Sequence, residues 1–257
     1  FDFKSEGMKI KEIIEFLELK VPRSMQESYD NCGVQVGDVD AEATGVVVSL
    51  DCTEDVVQEA INKGVNLIIA HHPVIFKGLT SLTGKNYVEK TILKAIKNDI
   101  CIYAIHTNLD NYRYGVNFKI GEKLGLKNLK ILAPKANDLI KLVVFVPKNH
   151  LDQLQNALFK AGAGHVGDYS ECSFSTPGAG TFKPLAGSNP FSGNEGVRSL
   201  EEEVKLEVII TKHSQSKVIK AMNVAHPYEE IAYDLIPLLN ANKYSGAGMV
   251  GELSEGM

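Results

Sequence analysis

Several common features are missing from this sequence of 257 residues, and each absence argues against a class of protein. It has only three arginines, Arg23, Arg113 and Arg198, and its formal net charge is −5. Both facts argue against a surface that binds nucleic acid. No apolar run reaches the roughly 18–20 residues of a membrane span. The N-terminus also lacks the basic and then apolar segments of a secretory signal.

Motifs that would define a standard redox or nucleotide site are absent too. The four cysteines, Cys32, Cys52, Cys101 and Cys172, form no C-x-x-C pair, so we expect free, mostly buried thiols and a reducing, cytoplasmic location. The sequence has no Walker loop, no G-x-G-x-x-G, no G-x-S-x-G and no H-E-x-x-H. Binding of a nucleotide through a standard phosphate loop is therefore not indicated.

The first half of the chain alternates short apolar runs with amphipathic segments. This pattern predicts an α/β domain with a mostly parallel sheet over residues 8–134. Met8 precedes the first amphipathic pattern, so residues 1–7 are interpreted as an appended or processed leader. The predicted helices are 9–19, 53–63, 87–98 and 116–124, and the predicted strands are 45–50, 66–70 and 100–105.

The pattern changes after Pro134. The order β-α-β-β-α-β predicts a ferredoxin-like α+β domain over residues 138–240, inserted into the first domain, to which residues 241–257 return. Its predicted strands are 139–146, 166–174, 204–210 and 231–236, and its predicted helices are 151–161 and 214–224. The stretch 175–196, rich in Gly, Pro and Ser, is predicted to be a long mobile loop.

Two adjacent histidines, His71 and His72, directly follow the predicted strand 66–70. Ligands in open α/β sheets bind outside the carboxyl ends of the strands, which is where these imidazoles are expected. Adjacent residues that leave a strand point to opposite sides. The pair would therefore serve two metal ions, or one ion from two sides. A pair hydrogen-bonded within a strand-to-loop turn is the alternative.

A second polar cluster, His106-Thr107-Asn108-Leu109-Asp110, follows the predicted strand 100–105. If the two strands are neighbours, both clusters emerge at one edge of the sheet. Two histidines and a carboxylate form a ligand set that suits zinc, iron or manganese, and Asp110 could bridge two ions. His106 is interpreted as an orienting or acid/base group. A simple turn at Asn108 and Asp110 remains the alternative.

Two further clusters are less specific. The segment Ala225-His226-Pro227-Tyr228-Glu229-Glu230 contains potential ligands, but its place between a helix and a strand of the second domain favours a structural turn. The segment Ser28-Tyr29-Asp30-Asn31-Cys32-Gly33 is expected either to line a substrate cleft or to turn the chain.

Several blocks together resemble the Nif-three-like dinuclear-metal-centre family, also called GTP cyclohydrolase 1 type 2 homologues. They are Tyr29-Asp30-Asn31 with Gly33, Ala70-His71-His72-Pro73 before Phe76-Lys77-Gly78, His106 to Asp110, and Gly115-Val116-Asn117. Blocks in the second half resemble the insert of the long bacterial members, which is similar in fold to the PII and CutA proteins. These are residues 164–169, 182–184, 187–190 and 225–230.

The resemblance implies two divalent metal ions, zinc, iron or manganese, held in the α/β domain with His71, His72 and Asp110 as ligands. It also implies a homohexamer of stacked trimers. The family's remaining ligands, a His and a Glu, come from a later C-terminal segment. We therefore expect this chain to be an incomplete form of a longer protein.

The function that follows is a metal-dependent hydrolase of a nucleotide or related small molecule, with ring opening of GTP as the candidate reaction. His106 is the candidate catalytic proton shuttle. The alternative is a non-enzymatic metal-binding regulatory or scaffold protein whose PII-like domain binds an effector or partner.

Overall fold

The computed structural model describes residues 7–253, so all of the expected leader except Gly7 lies outside the described residues. The chain divides into two compact units. Of the described residues, those up to Ala133 and those from Ser245 onward form one unit, and Pro134–Tyr244 form the other. Among the described residues, every helix is too short or too polar to span a bilayer.

The first unit contains five α-helices and a four-stranded sheet in its described part. The helices are α1 (Ile10–Lys20), α2 (Glu54–Lys63), α3 (Tyr87–Lys97), α4 (Thr107–Asp110) and α5 (Val116–Lys123), with a 3-10 turn at Arg23–Met25. The strands are β1 (Gly33–Val36), β2 (Val46–Ser49), β3 (Leu67–Ala70) and β4 (Cys101–Ala104). Two longer strands, β5 (Lys127–Lys135) and β10 (Asn242–Glu252), form a separate two-stranded sheet.

The four-stranded sheet has the order β1-β4-β3-β2. Strands β2, β3 and β4 are parallel, which confirms the predicted sheet, and β1 pairs antiparallel with β4 at one edge. Strands β1 and β5 were not predicted from the sequence. The four residues of β1 are too few for an alternating pattern to stand out from the polar loop before them.

Apolar residues of the central strands alternate between the two faces of this sheet. Ile68 and Ile102 pack with Val57 of α2 in one core cluster. Their neighbours Leu67 and Cys101 belong to another cluster, which contains Ile10 and Ile14 of α1. The sheet is therefore covered on both faces, as its nearly continuous apolar strands require. All four cysteines are free and three of them are buried, as predicted.

The second unit contains four strands and two α-helices. The strands are β6 (Leu139–Pro147), β7 (Ser173–Phe182), β8 (Ser199–Thr211) and β9 (Tyr233–Pro237), and the helices are α6 (Leu151–Lys160) and α7 (Gln215–Ala225), with a 3-10 turn at Lys148–His150. The sheet order β7-β8-β6-β9, antiparallel throughout, is the predicted ferredoxin-like topology.

The predicted strand 166–174 was wrong over residues 166–172, and the predicted loop 175–196 was wrong over residues 175–182. Residues 183–196 lie between strands, as the loop prediction required. The chain turns at residues 166–172, and the strand β7 begins at Ser173. It runs through the Gly-rich stretch and pairs with β8 along its whole length. This strand is held by backbone hydrogen bonds to β8. Because most of its side chains are small, the sequence shows no alternation of apolar and polar residues there. An edge position also tolerates Pro177.

Candidate metal centre

The register of the parallel strands brings the two predicted polar clusters together. Ala70 at the end of β3 lies opposite Ala104 at the end of β4. The backbone pairing continues beyond both strands, because Ile105 donates from its N–H to the carbonyl of Ala70 at 2.9 Å. His71 likewise donates to the carbonyl of Ser49 at 3.0 Å. The segments that carry the histidines are thus fixed at one edge of the sheet.

Three imidazoles converge at this edge. Ligand atoms of His71, His72 and His106 all lie within 4.8 Å of one another. The expectation that His71 and His72 point to opposite sides was wrong, since their ring centroids are 5.1 Å apart and each lies 5.2–5.3 Å from that of His106. The alternation of side chains holds only within the strand, which ends at Ala70.

The Nδ1 atoms of the adjacent histidines are both engaged by oxygen acceptors. His71 Nδ1 lies 2.9 Å from the carbonyl oxygen of Ile105, and His72 Nδ1 lies 2.7 Å from a carboxylate oxygen of Asp51. A carbonyl or carboxylate oxygen at this distance favours the tautomer with the proton on Nδ1, which leaves Nε2 as the nitrogen that can bind a metal. Histidine ligands of metals are oriented in this way.

Asp30 holds His106 in the same manner. One of its oxygens lies 2.9 Å from His106 Nδ1, and the other accepts from the backbone and hydroxyl of Thr107. Cys32 donates its S–H to that second oxygen at 3.0 Å. Burial would raise the pKa of Asp30, but the donors from Cys32, Thr107 and His106 outweigh it and hold the pKa well below its usual range. Asp30 is therefore a carboxylate at neutral pH.

Asp110 lies beside this cluster on the short helix α4. Its Oδ1 is 3.6 Å from His71 Nε2, and its side chain is about one-third exposed. The structure therefore brings together all four candidate residues, His71, His72, His106 and Asp110. His106, predicted as a proton shuttle, stands as a third imidazole of the cluster itself.

Two residues of the site were missed or only loosely placed by the sequence. The sequence pattern assigned no role to Asp51, and for Asp30 it predicted only a place in a substrate cleft or a turn. Asp51 follows β2, whose carboxyl end lies at the same edge as those of β3 and β4. The rule that identified the histidines would therefore also have identified Asp51.

His226 does not join this site and belongs to the second unit. Its Nε2 lies 2.9 Å from the carbonyl oxygen of Phe145, and its Nδ1 accepts from the N–H of Tyr228 at 3.1 Å. Burial lowers its pKa, so the neutral ring is favoured. These contacts support the structural interpretation of the segment 225–230.

The fold and this geometry define a class of protein. It is an α/β protein with three imidazoles and a carboxylate at the carboxyl edge of a parallel sheet. Such a set of nitrogen and oxygen donors fits zinc, iron or manganese.

A profile of the Duf34/NIF3 (NGG1p interacting factor 3) family matches residues 8–257, and the chain belongs to this family. It is 47% identical over 246 residues to the GTP cyclohydrolase 1 type 2 homolog of Halalkalibacterium halodurans, covering 95% of this chain and 66% of that protein. The homolog from Bacillus subtilis is 44% identical, with 96% and 66% covered. The chain thus spans about two-thirds of the length of these relatives.

A solved structure of a Bacillus cereus protein related to NIF3 is similar throughout the chain. Its sequence is 46% identical, and the superposition has a TM-score of 0.84. It covers 98% of this chain and 67% of the other. The Staphylococcus aureus protein SA1388 is 35% identical, with a TM-score of 0.69 and coverage of 97% and 65%.

Proposed function

We propose that this protein binds divalent metal ions through His71, His72, His106 and Asp110, and that the site hydrolyses a nucleotide or related small molecule. The observation that carries the proposal is the convergence of three imidazoles, each with its Nδ1 engaged. A single metal ion could accept a nitrogen lone pair from each of the three imidazoles.

The chain's own residues have distinct parts in this proposal. His71, His72 and Asp110 are ligands, and the engaged Nδ1 of His106 favours a ligand role over that of a mobile proton shuttle. Asp30 and Asp51 fix the orientation of His106 and His72. A bound divalent ion supplies Lewis acidity, which polarises substrate oxygens and activates water near neutral pH. We propose two such ions, zinc, iron or manganese, which these residues would hold with the Asp110 carboxylate as the oxygen ligand.

The metal site is tested by elemental analysis after loading with zinc, manganese or iron and dialysis. We expect wild-type protein to retain metal, and His71→Ala to lower its affinity by at least about tenfold. His165→Ala, which removes an exposed histidine of the second unit, is the matched control and should retain metal like the wild type. Equal retention by wild type and His71→Ala would contradict the site.

GTP is the candidate substrate because the relatives carry the name GTP cyclohydrolase 1 type 2 homolog. Incubation of the metal-loaded protein with GTP, followed by chromatography, should show a ring-opened product. That product should disappear in His71→Ala and persist in His165→Ala. If the loaded protein retains metal but leaves GTP unchanged, this substrate is wrong while the metal site stands.

A second candidate function is a non-enzymatic metal-binding regulator or scaffold whose second unit binds an effector. The observation that favours it is a cavity in the second unit, whose lining residues fall between Gly180 and Ala232. This alternative predicts metal retention without turnover. It also predicts ligand binding that changes with substitutions in that cavity and is unaffected by His71→Ala.

We further propose that the protein is cytoplasmic, on the basis of its free cysteines, and that it assembles as a hexamer of stacked trimers. Val46 and Val48 of β2 and Leu50 just after it expose 41%, 76% and 61% of their surface, and an exposed apolar patch of this kind favours self-association. Light scattering during gel filtration should give six times the chain mass of 28.1 kDa. A monomer at all concentrations would contradict the assembly.

A further inference from the structure

The second unit contains a cavity that the histidine site does not use. Its volume is about 400 Å³, within the range of pockets that bind small molecules. Its apolar wall is formed by Phe182, Pro184, Leu185, Pro190, Phe191 and Tyr228. The ring centroids of Phe191 and Tyr228 are 5.7 Å apart. A wall of this kind favours a flat, largely apolar ligand.

The charged groups around the cavity are mostly acidic. Glu203, Glu229 and Glu230 line it together with a single cation, Lys183. Glu203 is half-buried and accepts from the hydroxyl of Tyr228 at 2.9 Å. Glu229 accepts from the N–H of Asn189 at 2.8 Å, which ties the loop after β7 to the cavity rim. The net charge of the lining is therefore negative.

Gly180 of β7 leaves the space that the Glu203 side chain occupies. Gly178 lies opposite Glu203 in the strand register. A methyl group at Gly180 would overlap the Glu203 carboxylate. Gly180 thus leaves room for a carboxylate at the cavity, and a larger residue there would require that carboxylate to move.

We propose that this cavity binds a small aromatic or heteroaromatic cation, with its ring against Phe191 and Tyr228 and its amine or amidine group at Glu203. A cationic group would offset the net negative charge of the cavity lining, and the aromatic rings would add a cation–π attraction. Phosphate-bearing effectors do not fit, because each phosphate would face three carboxylates and one lysine. The proposal concerns a different unit from the histidine cluster and does not depend on its function.

Two probes with the same ring and opposite charge test the ligand class. Tryptamine is the cation and indole-3-acetate is the anion, and ATP represents the phosphate-bearing effectors. Calorimetry and saturation-transfer NMR should detect tryptamine with a Kd below about 1 mM, and indole-3-acetate and ATP should bind at least about tenfold more weakly.

Matched variants test the place of binding. Glu203→Gln removes the charge but keeps an acceptor for Tyr228, and it should weaken tryptamine binding by about tenfold. The control is Glu202→Gln, which removes the neighbouring exposed carboxylate from the other face of β8 and should change binding less than about twofold. Tyr228→Phe, a second variant, removes only the hydroxyl and should also weaken binding. Circular dichroism should show that all variants fold.

Four outcomes would overturn the proposal. The first is no binding of tryptamine, and the second is binding of indole-3-acetate or ATP at least as tight as that of tryptamine. The third is equal affinity of Glu203→Gln and Glu202→Gln. Should tryptamine affinity fall as the protein concentration rises, a second copy of the chain covers the cavity, and the small-molecule assignment is likewise rejected.

Discussion

A single buried carboxylate, Asp30, connects four parts of the candidate metal centre. It engages His106, accepts from Thr107 and Cys32, and receives the N–H of Asn31 at 2.8 Å. Its side chain is inaccessible to solvent. Charge-assisted hydrogen bonds of this number compensate for the burial of the charge. Asp30 therefore orients His106 and also contributes to the stability of the fold.

Replacing Asp30 by asparagine should weaken both roles. We expect Asp30→Asn to lower zinc affinity by about 10–100-fold in a chelator competition. The low pKa of Asp30 stabilises the native state at pH values above the unfolded-state pKa of about 3.9, and this contribution is lost as the pH falls further through the folded-state pKa.

The stability difference between wild type and Asp30→Asn should therefore be larger in urea unfolding at about pH 7 than at about pH 3. Asp234→Asn, at an exposed position of β9, is the control and should alter neither metal affinity nor this difference. An unchanged zinc affinity in Asp30→Asn would show that His106 needs no orienting carboxylate.

At the scale of elements, the helices follow local signals closely. Thr53 caps α2 by accepting from the N–H of Val56, and Gly64 ends the helix with φ +65°. The helix predicted over residues 53–63 therefore agrees with α2 to within one residue, because Thr at the start and Gly after the end are common helix boundaries. The strands β1, β5 and β7 do not follow such signals, because their partners lie elsewhere in the chain. Local signals therefore predicted the helices of this protein better than its edge strands.

The cap of α2 offers a test at this scale. Thr53→Ala removes the side-chain acceptor at the start of the helix, and we expect it to lower the free energy of unfolding by about 1 kcal/mol. Thr80→Ala, at an exposed loop position, should change it by less than about 0.5 kcal/mol. Denaturant unfolding measures both values, and equal effects of the two substitutions would argue against the cap.

At the scale of the whole molecule, each unit has its own apolar core. Leu206 of β8 is fully buried in a cluster with Val144, Leu154 and Met222, all from the second unit. The clusters around Ile68 and Tyr103 contain residues of the first unit only. This separation gives a physical basis for treating the second unit as an inserted domain.

A core truncation tests the separation of the cores. We expect Leu206→Ala to destabilise its own core by about 2–5 kcal/mol, because it leaves a cavity that close-packed neighbours fill only in part. Hydrogen exchange followed by mass spectrometry should show faster exchange in peptides of β6, β8 and α7. The peptides of β3 and β4 should exchange as in the wild type. Equal acceleration in both groups would contradict separate cores.

The sequence by itself determined the bounds of the six longer helices to within one residue, the order of elements in the second unit, and the position of the histidines after β3 and β4. Each of these depends on residues close together in the chain, through 3.6-residue periodicity, capping and turn chemistry. Only the tertiary structure decided which side chains support the site. Asp30 and His106 are 76 residues apart, and Gly180 of β7 matters only because Glu203 lies beside it. Such pairs are created by strand register and packing, which local patterns do not encode.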